Sequence, residues 1–469
     1  MDFPIRVHGR REKGGSFREL NASQVSKSLY REENIFMETV LGIILLITFL
    51  AFIVYAIRGG NLMLGLFIMA LLWAAIGAIG GVVTWTDINT TILDGGPTGF
   101  GATAVYIIFG SWFGRILVET GIAGTIIRNA VELGGDKPGL TCILLCAVTA
   151  LIFTTSYGPG AVVAIGVIVF PIMLSLGIPK PVASGAFCMS VGCGLYFNQS
   201  LLNQAAGTMM VGEEKYVIGS EWYTFAVVAF VIHFISIVVM VTLNTRKKKA
   251  HAWAASAGSV DPSTKNVNAL AMLTPLLPVL TAVIFKLSMI PSILVSVIYA
   301  LITTGNIKSF NKVADLIQKT FHDGVADVGL VLAFLMFLQM FCKSAALVKG
   351  LLAPIIAPIL PNSMFLMFLI FGLFAVLAYY RGPLTIWGAG TALFVIVAEV
   401  TGWPLAVLYP LFYIPCCTIN TNVCPTQSWN MWAIGYTQTS IKDFMKKTAP
   451  YALVTAFILE MVAYFMFAI

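Results

Sequence analysis

Long apolar runs alternate with short polar segments along almost the whole chain. They cover about 38–57, 62–83, 100–118, 182–211 and 220–243 in the first half of the chain, and 268–286, 290–304, 325–342, 405–434 and 448–468 in the second. Most of these runs are close to the roughly 20 residues that a helix needs to cross a hydrocarbon core ~30 Å thick. The pattern therefore predicts an all-α polytopic membrane protein.

Two further apolar stretches, at 138–177 and 362–401, are interrupted by residues that do not suit a membrane helix. The interruptions are "TTSYGPG" at 154–160 and "YYRGPLT" at 379–385. The segments on either side are short for a full span, so each stretch predicts a re-entrant hairpin with the polar residues at its tip. The runs 182–211 and 405–434 contain breaks rich in Gly, Asn and Gln, and these predict spans that are unwound in the middle.

The two halves of the chain can be aligned without gaps at a shift of 224 residues. The pairs brought into register are Gly158–Pro159 with Gly382–Pro383, Cys193 with Cys417, and Asn198 with Asn422. Each half would cross the membrane five times, while its hairpin returns to the side from which it entered. Because five is an odd number, the two halves would have inverted topology. We therefore predict two transmembrane repeats, 37–244 and 267–469, each with about five spans, a re-entrant hairpin and a broken helix. Paired breaks of this kind indicate a transporter binding site.

Composition and charge agree with a membrane location. Of the 469 residues, 58% are hydrophobic and only 10% are charged, whereas about a quarter of the residues of a soluble protein are charged. The polar linker 245–266 contains "RKKK", and placing it in the cytoplasm puts most other basic loops inside as well. We predict a multi-pass protein of the cell membrane. The polar segment 1–36 does not fit this topology and is predicted to be a disordered extension.

The predicted tips and breaks carry the candidate substrate-binding residues. Because a helix that begins at mid-membrane favours an anion at its N-terminus, we expect an anion at the first tip. Arg381 at the second tip suits a carboxylate, since its guanidinium can donate two parallel hydrogen bonds. The full set is Thr155, Ser156, Tyr157, Gly158 and Gly160; Asn198, Gln199 and Ser200; Tyr380, Arg381, Gly382 and Thr385; and Thr418, Asn420 and Asn422. The polar residues could instead serve as contacts between helices.

Two titratable residues inside spans, His233 and Glu460, are candidates for proton coupling. Both lie away from the breaks in the sequence, so a packing role is an equal alternative. Sodium bound by hydroxyls and carbonyls at the tips is the other coupling ion considered. A cation/proton antiporter would need carboxylates at the breaks, and none is there. We expect no enzyme activity, metal site or cofactor, because the chain lacks a CxxC pair, a catalytic His/Asp/Glu cluster and a GxxxxGK[ST] loop.

The architecture of residues 38–469 resembles the ion transporter superfamily of organic-anion carriers. Within it, "FGSWFGRILVETGIAGTIIRNAVELGG" followed by "ALIFTTSYGPGAVVAIGVIVFPIMLSLGIPKP" is similar to the gluconate permease and citrate–metal/proton symporter branches. The resemblance implies secondary transport of a carboxylate or sugar acid, such as gluconate, citrate or a dicarboxylate, commonly coupled to protons. It also implies a homodimer in the lipid bilayer, with no nucleic-acid partner. Its site would be formed by Thr155–Gly160, Gly192–Ser200, Tyr380–Thr385 and Thr418–Asn422.

Overall fold

The computed structural model describes residues 22–58, 60–135, 137–211, 214–245, 266–388 and 390–469. The first half contains α1 (Ala22–Ile57), α2 (Leu62–Ile79), a π-helical segment (Asp87–Asp94), α3 (Gly95–Gly99), α4 (Gly101–Glu119), α5 (Ile122–Gly134), α6 (Pro138–Phe153), α7 (Pro159–Ser175), α8 (Lys180–Gly194), α9 (Gln199–Thr208), the short strands β1 (Met210–Val211) and β2 (Glu214–Lys215), and α10 (Ser220–Thr245).

The second half contains a 3₁₀ helix (Ala269–Leu276), α11 (Leu277–Phe285), α12 (Met289–Thr303), a 3₁₀ turn (Asn306–Lys308), α13 (Phe310–Ile356), α14 (Met364–Leu373), a 3₁₀ helix (Ala375–Arg381), α15 (Gly390–Thr401), α16 (Leu405–Pro415), a π-helical turn (Cys416–Thr421), α17 (Ser428–Tyr436) and α18 (Ile441–Phe467). The all-α prediction is confirmed, with one two-stranded antiparallel hairpin as the exception among the described residues.

Five helices in the described part of the chain are long and apolar enough to cross a membrane. They are Phe36–Tyr55, Asp87–Glu119, Ser220–Thr245, Phe310–Ile356 and Ile441–Phe467. A sixth candidate is α14 together with the 3₁₀ helix that follows it, which is bent by 60°. The multi-pass architecture is thus confirmed. The inverted relation between the halves remains a prediction.

Helix α10 shows how these helices are placed between lipid and protein. Val227, Val231 and Ile235 are exposed, whereas Ala229 and His233 are buried. Residues four apart lie on the same face of a helix, so the exposed valines and isoleucine form one apolar stripe. Such a stripe is stable against lipid tails and turns the opposite face of α10 towards the protein interior.

The two halves of the chain are interleaved. Helix α13, from the second half, packs against α1, α2, α3 and α4 of the first half as well as against α15. Helix α18 likewise packs against α8 and α10. Contacts between the halves therefore build much of the interior, and they bring residues from distant parts of the chain to the predicted tips and breaks.

Several predicted boundaries need correction. Helix α1 begins at Ala22, so residues 22–36 are helical and not disordered; residues 1–21 and 246–265 lie outside the described part. Helix α13 has 47 residues and exceeds the predicted span 325–342 at both ends. Its polar first part continues the helix because it packs against α4.

The predicted breaks are also shorter or displaced. Residues 192–194 belong to α8 and residues 199–200 to α9, so the first break is confined to 195–198. In the second break, residues 418–421 form part of a π-helical turn, and the chain leaves helical geometry only at 424–427. A π-helical turn is wider than an α-helical turn, and such turns occur often at functional sites. The second break therefore disturbs the helix without fully unwinding it at Thr418 and Asn420.

Helices α4 and α13 approach closely at Gly324, so a substitution there tests how tightly the two helices pack. A β-carbon on Gly324 would lie 2.8 Å from Trp112 Cα, whereas one on Gly329 of the same helix would meet nothing within 4 Å. We expect Gly324→Ala to destabilise the protein by about 1–3 kcal/mol, because backbone atoms cannot move aside as side chains do. The control Gly329→Ala should be neutral or slightly stabilising. Thermal unfolding in detergent measures both, and equal melting temperatures would contradict the close crossing.

Candidate functional site

One buried amide closes the tip of the first hairpin. Asn198 Nδ2 donates to the backbone oxygens of Phe153 at 3.1 Å and Ser156 at 2.8 Å. Its Oδ1 accepts from the backbone N–H of Leu201 at 3.1 Å, which caps α9. Carbonyls at the end of α6 and amides at the start of α9 have no partners within their own helices. Asn198 therefore joins the first tip to the first broken helix.

The first tip lies beside the middle of α4. A β-carbon on Gly114 would lie 3.4 Å from Ser156 Cβ, and one on Gly110 would lie 3.4 Å from Tyr157 Cβ. Gly158 has φ +100°, a conformation that L side chains rarely adopt. Residues 154–158 are non-helical and buried, so the chain breaks inside the protein at the predicted tip. The return of both helices to one side of a membrane stays a prediction.

Most hydroxyls of the first tip are already engaged within the protein. Thr155 Oγ1 donates to the Pro275 carbonyl at 2.9 Å, and Tyr157 Oη donates to Gln204 Oε1 at 2.6 Å. Ser156 Oγ is buried without a hydrogen-bond partner among the described residues. Of these three predicted ligands, Ser156 is thus the one with a free hydroxyl.

A protein carboxylate lies where the sequence predicts a substrate anion. The carboxylate of Asp327 packs directly against Gly160, the second residue of α7. Arg115 donates to both oxygens of Asp327, from Nε and Nη2, each at 2.6 Å. This pair is not among the site residues predicted from the sequence. The available signal was an acidic residue within the apolar run 325–342, because such residues are usually paired or functional.

Arg381 at the second tip is held by neutral amides. Nη1 donates to Asn420 Oδ1 at 3.0 Å, and Nη2 donates to Gln427 Oε1 at 2.7 Å. Its Cζ lies 5.8 Å from the ring centroid of Phe334, a cation–π contact. No carboxylate pairs with Arg381 among the residues that the structure describes. Within the same set, Arg381 Nε and Asn420 Nδ2 are buried donors without an acceptor.

The backbone at the second tip is strained. Tyr380 and Arg381 have φ of 53° and 61°, in the left-handed region that disfavours residues other than glycine. Thr385 Oγ1 donates to the Ala378 carbonyl at 2.7 Å and curls the loop back on itself. Helix α15 begins at Gly390, later than predicted, so Arg381 does not lie at its N-terminus. The Tyr380 hydroxyl donates to Met445 Sδ at 3.3 Å and is not directed to Arg381's amide partners.

Helix α13 contacts both tips. Val328 lies opposite Gly158 at the first tip, where an added β-carbon would be 3.0 Å from Val328 Cγ1. Phe334 lies under Arg381 at the second tip. Six residues of α-helix span roughly 9 Å. Both tips therefore contact the same short stretch of α13.

A second connection between the tips runs through Trp429. Its ring meets the Tyr157 ring edge-on at 6.4 Å, and its Nε1 donates to the Thr421 carbonyl at 2.8 Å. Trp429 follows Gln427, the acceptor of Arg381, by two residues. Tyr157 of the first tip and Arg381 of the second thus share the segment 427–429 as a neighbour.

His233 connects the two broken helices, although the sequence placed it away from the breaks. Its Nδ1 lies 3.2 Å from Tyr196 Oη in the first break. Its Nε2 lies 3.4 Å from Asn422 Nδ2 in the second. The imidazole is fully buried. Glu460 is also fully buried, beside Gly372, and neither of its oxygens has a hydrogen-bond partner in the described part of the chain.

Other predicted site residues make contacts elsewhere. Gln199 Nε2 donates to Tyr223 Oη at 3.1 Å, Ser200 Oγ donates to the Tyr106 carbonyl at 3.3 Å, and Thr418 Oγ1 donates to the Ile414 carbonyl at 2.6 Å. These bonds stabilise helices. Nowhere in the described ranges do three or more His, Cys, Asp or Glu side chains form a group that could hold a metal ion.

Comparison with solved structures shows a known fold. The chain is similar to the YdaH transporter of Alcanivorax borkumensis, with a TM-score of 0.58 and 15% sequence identity. The match covers 87% of this chain and 99% of that one. No protein-family model matches the sequence, and no curated protein matches it. The likeness establishes the membrane-protein fold, while the resemblance to the gluconate and citrate branches stays a prediction.

The role of Asn198 can be tested by exchanging its amide for a carboxylate. Asn198→Asp keeps the cap on α9 but removes both donors and places negative charge against two carbonyls. We expect a loss of more than about 2 kcal/mol of stability, because a buried charge without a partner is costly. The control Asn61→Asp changes the N-cap of α2, where the exposed Asn61 side chain accepts from the backbone N–H of Leu64. The control should leave the melting temperature nearly unchanged. An unchanged melting temperature in Asn198→Asp would refute the role of Asn198 in closing the first tip.

Proposed function

We propose that the protein is a secondary active transporter of a small organic anion that works by alternating access. The observation that carries this proposal is the environment of Arg381. A cation with no carboxylate partner is costly inside a membrane protein. A substrate carboxylate would neutralise it and would accept from the unpartnered donors Arg381 Nε and Asn420 Nδ2. The similarity of the fold to that of a transporter supports the proposal.

The substrate class that fits this site is a carboxylate or sugar acid. Ser156 adds an unengaged hydroxyl at the first tip, and the faces of Phe334, Tyr157 and Trp429 supply apolar surface near the charge. The resemblance to gluconate permeases and citrate symporters supports the same class. We further propose that the linker 245–266 lies in the cytoplasm, as the charge distribution predicts. A homodimer in the cell membrane is proposed from the family resemblance.

Proton coupling is the coupling that we propose. His233 and Glu460 are buried titratable side chains, and His233 contacts both breaks, where a change of protonation would alter its bond to Asn422. Sodium is the alternative. The alternative of a cation/proton antiporter receives little support. The carboxylate at the first tip, Asp327, is already paired with Arg115.

The substrate role of Arg381 is tested by uptake of labelled gluconate into proteoliposomes. Arg381→Gln should weaken the apparent affinity about ten- to a hundredfold, because hydrogen bonds to a charged group are worth about 1.5–3 kcal/mol. The control Lys349→Gln removes an exposed cation that pairs with Glu399, and it should transport normally. Unchanged affinity in Arg381→Gln would remove Arg381 from the site. If no carboxylate stabilised the protein in a thermal-shift screen, the result would contradict the proposal that the protein carries an organic anion.

Coupling is tested separately from binding. Wild-type protein should acidify the lumen of vesicles during substrate uptake, measured with an entrapped pH-sensitive dye and without sodium. His233→Gln and Glu460→Gln should reduce this proton flux at least severalfold while preserving substrate exchange at equal concentrations, which needs no net coupling. Uptake that requires sodium and moves no protons would favour the sodium alternative. Normal proton flux in both variants would exclude these two residues.

A further inference from the structure

We propose that Asp327 restricts the substrate to a single carboxylate. Its side chain, held by Arg115 against the start of α7, occupies the position that a second substrate carboxylate would need. This inference rests on the proposed function, because it concerns the selectivity of the same site.

The balance of charge at the two tips is the first support. Two arginines lie at the tips, Arg115 beside the first and Arg381 at the second. Arg115 is neutralised by both oxygens of Asp327 in a pair whose side chains are only 24% and 12% exposed. Arg381 has neutral amides as partners. One of the two cations is therefore available to a substrate, and it can bind one carboxylate.

The position of Asp327 is the second support. The N-terminal turn of a helix attracts negative charge, and at α7 this turn faces the Asp327 carboxylate across Gly160. Because Gly160 has no side chain, the carboxylate can approach the helix directly. A second anion would find this place occupied and the charge of Arg115 already neutralised by Asp327. The anion position predicted at the first tip is thus filled from within the chain.

The spacing of Asp327 and Phe334 along α13 is the third support. Asp327 and Phe334, the residue under Arg381, are seven residues apart on α13, which is roughly 10 Å along the helix. This is the range that a diacid such as adipate or glucarate spans once its hydrogen-bond partners are included. A diacid with one end on Arg381 would direct its other end towards the pair Arg115–Asp327. A monocarboxylate of the same length would place an uncharged end there.

Wild-type protein tests the proposal with ligand pairs that differ by one carboxylate. Gluconate is compared with glucarate, and hexanoate with adipate, by competition against labelled gluconate in proteoliposomes and by thermal shift. We expect each monocarboxylate to bind at least tenfold more tightly than its diacid. Equal or tighter binding of the diacids would overturn the proposed restriction to one carboxylate, but it would not contradict the proposal that the protein carries an organic anion. Failure of all four ligands to bind would instead contradict the proposed function.

Variants test whether Asp327 causes the preference for monocarboxylates. Asp327→Asn frees the charge of Arg115 and should shift the adipate-to-hexanoate affinity ratio at least tenfold towards adipate. The control Asp315→Asn removes an exposed carboxylate about three turns away on the same helix and should leave the ratio unchanged. In the double variant Arg115→Gln/Asp327→Asn no second cation remains, so adipate should gain nothing over hexanoate.

The ratio separates selectivity from a purely structural ion pair. If the pair only holds α4 to α13, its loss lowers the melting temperature and weakens all ligands alike. An unchanged ratio in folded Asp327→Asn would therefore overturn the proposal. If Asp327→Asn does not fold, because it leaves Arg115 as an uncompensated charge, the wild-type ligand pairs still decide the question.

Discussion

Backbone groups that leave a helix inside a membrane must find partners within the protein, because no water is available there. The centre of this structure is organised by that constraint. Asn198 satisfies carbonyls at the first tip and an amide of α9 with a single side chain. Thr155 donates across the halves to the Pro275 carbonyl, and Thr385 closes the second tip onto Ala378. Each break is thus stable only with the neighbours that the fold brings to it.

Charge is distributed unevenly around these breaks. At the first tip, Arg115 and Asp327 neutralise each other beside α7. At the second, Arg381 is surrounded by amide oxygens and an aromatic face, which stabilise a cation without cancelling its charge. The strained backbone at Tyr380 and Arg381 is maintained by the surrounding packing. A site with one uncancelled charge suits the capture and release of a small ion.

Because the two halves are interleaved, the residues of this site contact elements from both halves of the chain. Helix α13 contacts both tips, and His233 joins one break to the other through Tyr196 and Asn422. A change at one tip therefore acts on residues that also support the second. The alternating access that we propose would need such an arrangement, since substrate and coupling ion must influence the same moving elements.

The sequence by itself determined the membrane class and the place of the first break, and it singled out Arg381 as a cation within an apolar stretch, because hydropathy and local breaks are properties of neighbouring residues. It also placed Asn198 in the first break, whereas Asn420 and Asn422 lie in the helical turns just before the second. Only the tertiary structure brought Asp327 to Gly160, joined His233 to the breaks, engaged the hydroxyls of Thr155 and Tyr157, and extended α13 over 47 residues. Those features depend on contacts between residues far apart in the chain, and no local pattern of polarity specifies which distant partner packing will supply.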